Sequence, residues 1–116
     1  MTKYPPFFLK HILESIDLIA SYLRETNKTE FYKDAKLQDA VIRRLEIIGE
    51  AAKGLPPEFT RKYPAIDWRG MSGMRDKLIH HYFGINLERV WLVLKNDLPK
   101  LKKDLEVILD DENKVI

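Results

Sequence analysis

The sequence contains no cysteine and no long apolar run. Without cysteine, the chain can form neither disulfides nor thiolate metal sites, and this fits a reducing compartment. No uninterrupted apolar stretch approaches the ~18 residues that would suggest a bilayer span. The N-terminal segment has charges inside its apolar stretch and no small-residue cleavage site, so it does not read as a signal peptide. We therefore expect a cytoplasmic protein without a membrane segment.

The sequence also has little net charge. Lysine and arginine total 20, aspartate and glutamate total 18, and the net charge is +2. Such a balance attracts a nucleic acid only weakly over long distances. Basic residues do form local clusters, which are more typical of solvated helix faces than of a phosphate track: Arg43 with Arg44, Arg61 with Lys62, and Lys100 with Lys102 and Lys103.

What the sequence does contain is helical periodicity. With 116 residues and 45% hydrophobic residues, it predicts one domain over residues 1–116 with one core. Apolar residues recur every three or four positions, which predicts an all-α antiparallel bundle of four main helices. The predicted helices run from Pro5 to about Glu25, over 35–54, from Asp67 or Ser72 to Gly84, and from Asn86 onwards.

The segments between these helices carry turn and capping residues. Residues 26–34 read as a loop or a frayed helix start, with capping candidates at Thr29 and Asp34. The segment after Gly54 contains three prolines, so we expect a connection that holds one helical turn.

A heptad pattern marks the last predicted helix, which Asn86 caps. Such a pattern packs against partner helices at shallow angles, inside a bundle or across a dimer. Pro99 lies inside it and removes the hydrogen-bond partner of the Lys95 carbonyl. We expect a kink rather than a restart, because the pattern continues in register beyond the proline. Its two apolar series are Leu87, Leu94, Leu101 and Ile108, and Trp91, Leu98 and Leu105.

The segment 74–84, MRDKLIHHYFG, places polar groups in a stretch that otherwise reads as buried helix. On a helix, Arg75 falls in the middle of an apolar face. Asp76 and His80 are neighbours on the flank, where the carboxylate can accept a hydrogen bond from the imidazole. His80 lies roughly 140° around the helix from Arg75, so one straight helix does not bring them together. The apolar face consists of Met71, Met74, Leu78, Ile79 and Tyr82.

Each of these polar residues has a structural and a functional interpretation. The Arg75 stem can cover apolar surface while its guanidinium reaches solvent or a carboxylate. Alternatively, its planar fork grips a phosphate or carboxylate at an interface. His80 and His81 are also favoured simply as residues of a helix C-terminus. His11 has no partner in its own segment and is assigned to structure.

Metal and serine chemistry are poorly supported. His80 and His81 point about 100° apart on a helix, unlike the four-residue spacing that lets two imidazoles bind one zinc ion. The serines lie in no strained strand-to-helix turn. What remains is arginine and histidine with aspartate and tyrosine nearby. This set suits phosphate chemistry that needs neither metal nor cofactor.

The segment RDKLIHHY, residues 75–82, has the form arginine, four residues, histidine, one residue, tyrosine. It resembles the signature of the HEPN superfamily, specifically of its HepT-type toxin branch. The segments 38–56, 66–91 and 96–101 also resemble that branch, so the resemblance covers roughly residues 37–105. His81 departs from the pattern, since a small residue commonly stands between the histidine and the tyrosine.

The resemblance implies an up-and-down four-helix bundle, or one with a fifth short helix, that forms a homodimer. It further implies a metal-independent ribonuclease, with Arg75 and His80 of both subunits lining a shared cleft. In the mechanism that we expect, the 2′-hydroxyl of RNA attacks the neighbouring phosphorus, His80 acts as general base or acid, and Arg75 holds the phosphate. From its spacing, Asp76 would orient His80. His81 would help in proton transfer or shield the site, and Glu50 would face either the cleft or solvent.

The resemblance also implies a partner. HepT-type proteins are paired with a minimal nucleotidyltransferase antitoxin that attaches AMP to the motif tyrosine, here Tyr82. The chain would then be the toxin of a type VII-like toxin–antitoxin system. Two other hypotheses stay open. The chain could be a non-catalytic, nucleotide- or partner-binding subunit of the nucleotidyltransferase, with Arg75 holding the ligand. Alternatively, the chain could be a purely structural helical module, in which case the substitution Arg75→Leu would stabilise the fold and cost no activity.

Overall fold

The computed structural model describes residues 4–80 and 84–113, and all regular secondary structure within those ranges is helical. This confirms the predicted all-α fold class. Four long helical stretches and two short helices follow one another along the chain. They are α1 (Pro5–Tyr22), α2 (Lys28–Lys33), α3 (Ala35–Gly54), α4 (Pro57–Lys62), α5 (Trp68–His80), α6 (Leu87–Leu92), a π-helical turn (Val93–Asp97) and α7 (Leu98–Asn113).

The segment between α1 and α3 is more ordered than the sequence predicts. α1 ends at Tyr22 rather than near Glu25, and residues 28–33 form α2 instead of a loop. The Asn27 side chain caps α2 by accepting a hydrogen bond from the Glu30 amide at 2.9 Å, whereas the candidate Thr29 lies inside the helix. A six-residue helix has little intrinsic stability. Burial of Phe31 against Trp91, with ring centroids 5.4 Å apart, stabilises it.

α3 is the central helix of the core. It packs against α1, α5 and α2. Its N-terminus is capped as predicted by Asp34, whose carboxylate accepts a hydrogen bond from the Leu37 amide at 3.0 Å. Its last residue, Gly54, lies against the Phe8 ring of α1. The buried side of α3 consists of Val41, Ile42, Leu45, Ile48, Gly49, Ala51 and Ala52.

The C-terminal helical stretch continues through the proline that we expected to disturb it. The helix does not restart at Pro99, as predicted, and the kink stays a prediction. A π-helical turn covers Val93–Asp97, and the Leu98 amide donates to the Val93 carbonyl. A π turn widens the helix locally and accommodates an irregular hydrogen-bond ladder. The heptad residues face the core of this chain: Trp91, Leu94, Leu98, Leu105 and Ile108 are buried, and Leu87 and Leu101 are partly buried.

α5 carries the segment that combines arginine and histidine. It begins at Trp68, next to Asp67, the earlier of the two predicted starts, and the Asp67 carboxylate accepts a hydrogen bond from the Gly70 amide at 2.9 Å. The Trp68 indole donates to the Tyr63 carbonyl at 3.0 Å and so ties the start of α5 to the end of α4. Among the residues that the structure describes, no helix is long and apolar enough to cross a membrane.

Candidate active site

Arg75 is positioned by the closest approach of α3 and α5. A Cβ atom on Gly49 would lie 2.3 Å from the Arg75 Cβ and 2.6 Å from the Met71 carbonyl oxygen. A backbone oxygen cannot move aside as a flexible side chain can, so only glycine permits this contact. Gly49 therefore determines where the stem of Arg75 lies. A glycine inside an otherwise well-formed helical pattern is the sequence signal for such a contact.

The Arg75 guanidinium is only partly satisfied. Its side chain is 26% exposed, and its Nη1 donates to Asp76 Oδ1 at 3.0 Å. Its Nε is buried and has no hydrogen-bond partner within the described part of the chain. A buried donor without an acceptor costs free energy. The side chain is nevertheless 26% exposed, and the accessible part of its donor fork makes only the bond to Asp76 in the described structure, so this part is suited to bind an anion.

Asp76 lies between two cations. Besides the bond from Arg75, its Oδ1 is 3.8 Å from the ammonium of Lys53 on α3. The hydrogen bond from Arg75 is the main cause that lowers the pKa of the Asp76 carboxyl, and the nearby charges of Lys53 and Arg75 lower it further. The carboxylate is therefore ionised at neutral pH and acts as the counterion of both cations.

His80 is oriented by a different atom from the one that its spacing predicts. Its Nδ1 lies 2.9 Å from the backbone oxygen of Asp76, while the Asp76 carboxylate is engaged by Arg75 and Lys53. The expectation that the carboxylate holds the imidazole is thus wrong, because adjacent permanent cations compete for it. A carbonyl oxygen only accepts, so Nδ1 carries the proton of this bond. Nε2 of the exposed ring has no hydrogen-bond partner in the described structure and can accept or donate a proton.

The other predicted site residues are dispersed or lie outside the described residues. Glu50 is exposed and makes no hydrogen bond to Arg75 or His80 in the described structure, so its place in a cleft between two copies stays a prediction. His81 and Tyr82 fall among residues 81–83, outside the described ranges. Ile79, predicted on the apolar face of α5, is 43% exposed.

His11 takes no part in this cluster. It is exposed on α1, with its ring centroid 4.5 Å from that of Phe7, in agreement with its structural assignment. Lys53 was missed by sequence reasoning. It lies between Ala52 and Gly54, and only the packing of α3 on α5 brings it to Asp76.

A cavity separate from these residues lies on another side of α5. It has a volume of about 770 Å³ and opens between α5 and the C-terminal helical stretch. Its wall combines apolar residues such as Met71 and Leu78 with charged ones such as Lys77 and Arg89, and it does not include Arg75, Asp76 or His80. Size alone would favour this cavity, but no histidine is among its described lining residues. We therefore place the candidate site at Arg75, Asp76, His80 and Lys53, which we call the Asp76 cluster.

The Asp76 cluster has the charge and groups for phosphate chemistry. Two permanent cations face one carboxylate, which leaves an excess of positive charge beside an imidazole. Guanidinium and ammonium donors bind phosphate oxygens, and an imidazole can move protons near neutral pH. In the described residues, no three histidine, aspartate or glutamate side chains lie close enough together to hold a metal ion.

Comparison with known proteins yields one family and several relatives. A family model described as "Ribonuclease HepT-like" matches residues 12–108. The chain is 48% identical over 114 residues to "Gamma-glutamylcyclotransferase and putative RNase" of Methanocaldococcus jannaschii. The matched region covers 98% of this chain and 51% of that protein. This chain thus spans about half the length of that relative.

Two shorter relatives match over nearly their whole length. One is a "Putative RNase" of the same organism, 50% identical over 104 residues, with 90% of this chain and 86% of the relative covered. The other is "Probable ribonuclease HepT" of Thermococcus cleftensis, 50% identical over 99 residues, with 85% and 90% covered. No solved structure matches the chain.

The family match includes α3, α5 and the whole Asp76 cluster, so it covers the residues that form the candidate site. The resemblance noted for residues 75–82 is thereby confirmed. The chain belongs to the HepT-like ribonuclease family of the HEPN superfamily.

Proposed function

We propose that this protein is a metal-independent endoribonuclease and the toxin of a toxin–antitoxin pair. The observation that carries the proposal is the Asp76 cluster, in which a partly exposed guanidinium lies near an exposed imidazole whose Nε2 has no partner in the described residues. Three relatives whose names contain RNase or ribonuclease support the same reaction class.

The proposed reaction transfers the phosphoryl group within the RNA strand. His80 Nε2 takes the proton of a 2′-hydroxyl, whose oxygen then attacks the adjacent phosphorus. The bond from phosphorus to the 5′-oxygen breaks, giving a 2′,3′-cyclic phosphate and a 5′-hydroxyl that receives a proton from a second acid. Arg75 binds the non-bridging oxygens and stabilises the charge that grows on them. Each well-placed proton-transfer group contributes about 10²–10⁴-fold.

In this proposal the protein is a homodimer. His80 of one copy is the base, and His80 of the other copy is the acid that protonates the 5′-oxygen. Within one chain, Arg75 and His80 leave the helix in different directions. A twofold axis near α5 would bring together groups that cannot meet within one helix. The exposed Ile79, next to His80, provides apolar surface for such pairing. We expect sedimentation to show a dimer that Ile79→Glu weakens; a fully active monomer would contradict this part of the proposal.

The proposed antitoxin is a minimal nucleotidyltransferase that modifies Tyr82. In this step, the tyrosine oxygen attacks the α-phosphorus of ATP, pyrophosphate leaves, and the hydroxyl proton passes to solvent. Phosphates attached there would compete with RNA for the cations of the site by charge and bulk. We predict that Tyr82→Phe gains no AMP in mass spectrometry after incubation with the nucleotidyltransferase and ATP. A modified Tyr82→Phe protein would show that another residue is the acceptor.

The deciding experiment incubates the purified, unmodified protein with labelled RNA in EDTA and repeats it with His80→Ala. We expect the wild-type protein to cleave and the variant to lose cleavage by about 10²-fold or more. Wild-type protein that binds nucleotide but leaves RNA intact would favour the alternative, a binding subunit in which the cations of the Asp76 cluster hold the nucleotide. Cleavage by His80→Ala at the wild-type rate would refute the assigned role of this residue.

A further inference from the structure

Lys53 is a cation of the Asp76 cluster that has no role in the reaction described above. Its Nζ lies 3.8 Å from Asp76 Oδ1, which is too long for a hydrogen bond. The Lys53 side chain is 60% exposed and the Asp76 side chain is 46% exposed. Both groups therefore remain hydrated, and an ion pair of this kind adds little to the stability of a fold. Structural stabilisation alone does not account for its position.

The Lys53 side chain extends towards Asp76 on α5 rather than towards a carboxylate on its own helix. Glu50 lies one helical turn earlier on α3, at a spacing that favours an ion pair along the helix. The described structure instead pairs Lys53 with Asp76 on α5. The ammonium consequently lies beside the oxygen atom that also accepts from Arg75, at 3.0 Å. One anionic oxygen thus already lies close to both cations, and a phosphodiester oxygen carries the same charge.

We propose that Lys53 is a second phosphate-binding residue of this site. It acts together with Arg75, and Asp76 is the counterion that holds the two cations in place until RNA binds. The inference rests on the proposed ribonuclease function, since its substrate is the RNA phosphate. Arg75 contributes a directional fork of donors, whereas Lys53 contributes a mobile point charge that follows the phosphate. Lys53 is therefore a substrate-binding residue rather than a proton-transfer group.

The test compares Lys53→Ala, Lys53→Arg and wild-type protein on one RNA at several salt concentrations. We expect Lys53→Ala to raise KM several-fold with nearly unchanged kcat. The slope of log KM against log salt should fall by about 0.7, the value for one phosphate contact to a single strand. Lys53→Arg keeps the charge and should retain the wild-type KM and salt slope.

Lys36→Ala is the matched control. Lys36 is exposed on the same helix and has no ion pair in the described structure, and about 25 Å of helix separates it from Lys53. We expect its KM and salt slope to equal those of the wild type. Circular dichroism establishes that each variant is folded, and Lys53→Gln, which keeps the stem, replaces Lys53→Ala if the alanine variant is not.

The outcomes separate this inference from the function on which it rests. If the wild-type protein cleaves RNA and Lys53→Ala keeps its KM and salt slope, Lys53 does not bind substrate and the nuclease proposal stands. A fall in kcat with unchanged KM would likewise refute the binding role. If the wild-type protein cleaves no RNA in EDTA, the proposed function and this inference both fail.

Discussion

Two carboxylates of this protein each interact with a lysine and with a second hydrogen-bond donor, but the two clusters differ in exposure and in the donors that they leave without a partner. Glu112 on α7 accepts hydrogen bonds from Lys62 Nζ, at 2.8 Å, and from the Tyr63 hydroxyl, both located at the end of α4. Its side chain is 16% exposed. Each of these three groups, the Glu112 cluster, has a hydrogen-bond partner within the cluster, and none of them has a buried polar atom without a partner in the described residues, so the cluster ties α4 to α7.

The Asp76 cluster is built from similar groups but is left open. Its carboxylate is 46% exposed, its lysine is 3.8 Å away, and its arginine keeps a buried donor without a partner in the described residues. The comparison teaches that a polar cluster indicates function through what it leaves unsatisfied, not through the number of its charges. Variants that remove corresponding groups from the two clusters test this difference directly.

The largest expected effect distinguishes the cations of the two clusters. Arg75→Ala should lower the RNA cleavage rate by about 10²–10³-fold, since it removes donors that stabilise the charge of the transition state. Arg75→Lys keeps the charge but not the planar fork of donors, so its cleavage rate should lie between those of Arg75→Ala and the wild type. Lys62→Ala, from the Glu112 cluster, should cleave at the wild-type rate. Initial rates on labelled RNA measure all three, and an equal loss in Lys62→Ala would remove the distinction.

A smaller effect is expected from two glycines near the site. Gly49→Ala would place a Cβ against the Met71 carbonyl and the Arg75 stem, and should destabilise the fold by about 1–3 kcal/mol through overpacking. Gly73→Ala, on α5 with no atom near its added Cβ, should stabilise it by about 0.5–1 kcal/mol. Urea unfolding measures both free energies. Equal changes in the two variants would show that α3 and α5 do not meet closely at Gly49.

The smallest effect concerns acid stability. Hydrogen bonds from Lys62 and then Tyr63 lower the pKa of Glu112 in the folded protein. Its carboxylate therefore stabilises the fold at neutral pH, and this contribution is lost as the pH falls below the ordinary glutamate value of about 4.3 and through the lower folded-state pKa. Burial and the bond to Glu112 raise the pKa of Tyr63, so its contribution is present below about pH 10 and lost above it.

We accordingly expect the free energy of unfolding of the wild-type protein to fall between about pH 5 and pH 3, and to fall less in Glu112→Gln. Asp76→Asn provides the control. The pKa of Asp76 is also lowered, mainly by the hydrogen bond from Arg75, but this carboxylate is much more exposed. Asp76→Asn should therefore change the pH dependence of the free energy of unfolding less than Glu112→Gln does. A larger change in Asp76→Asn would mean that the Asp76 cluster is the structural one.

The sequence predicts the parts of this structure that depend on local patterns. The periodicity of residues 35–54 gives the bounds of α3, and three residues of the candidate site, Arg75, Asp76 and His80, were singled out from the sequence. The short helix α2 was missed because its stability comes from Phe31 packing on Trp91, sixty positions further along the chain. Contacts of this kind depend on how the helices pack, which local periodicity does not contain.

The partner of each side chain was predicted less well than its position. A four-residue spacing places the Asp76 carboxylate near His80, but not the two cations that compete for it. Lys53 reaches Asp76 only because Gly49 lets α3 and α5 approach closely. The isolated glycine was visible in the sequence, but the residue that it would meet was not.

The central claim is that the Asp76 cluster directs a ribose hydroxyl at its neighbouring phosphate. The most direct measurement uses one RNA with a mapped cleavage site, in EDTA, and the same strand with a single 2′-deoxynucleotide on the 5′ side of the scissile phosphate. We predict cleavage of the all-ribose strand with a 2′,3′-cyclic phosphate end, and no cleavage at the substituted position, because DNA lacks the attacking group. Cleavage of both strands there at comparable rates would contradict the account.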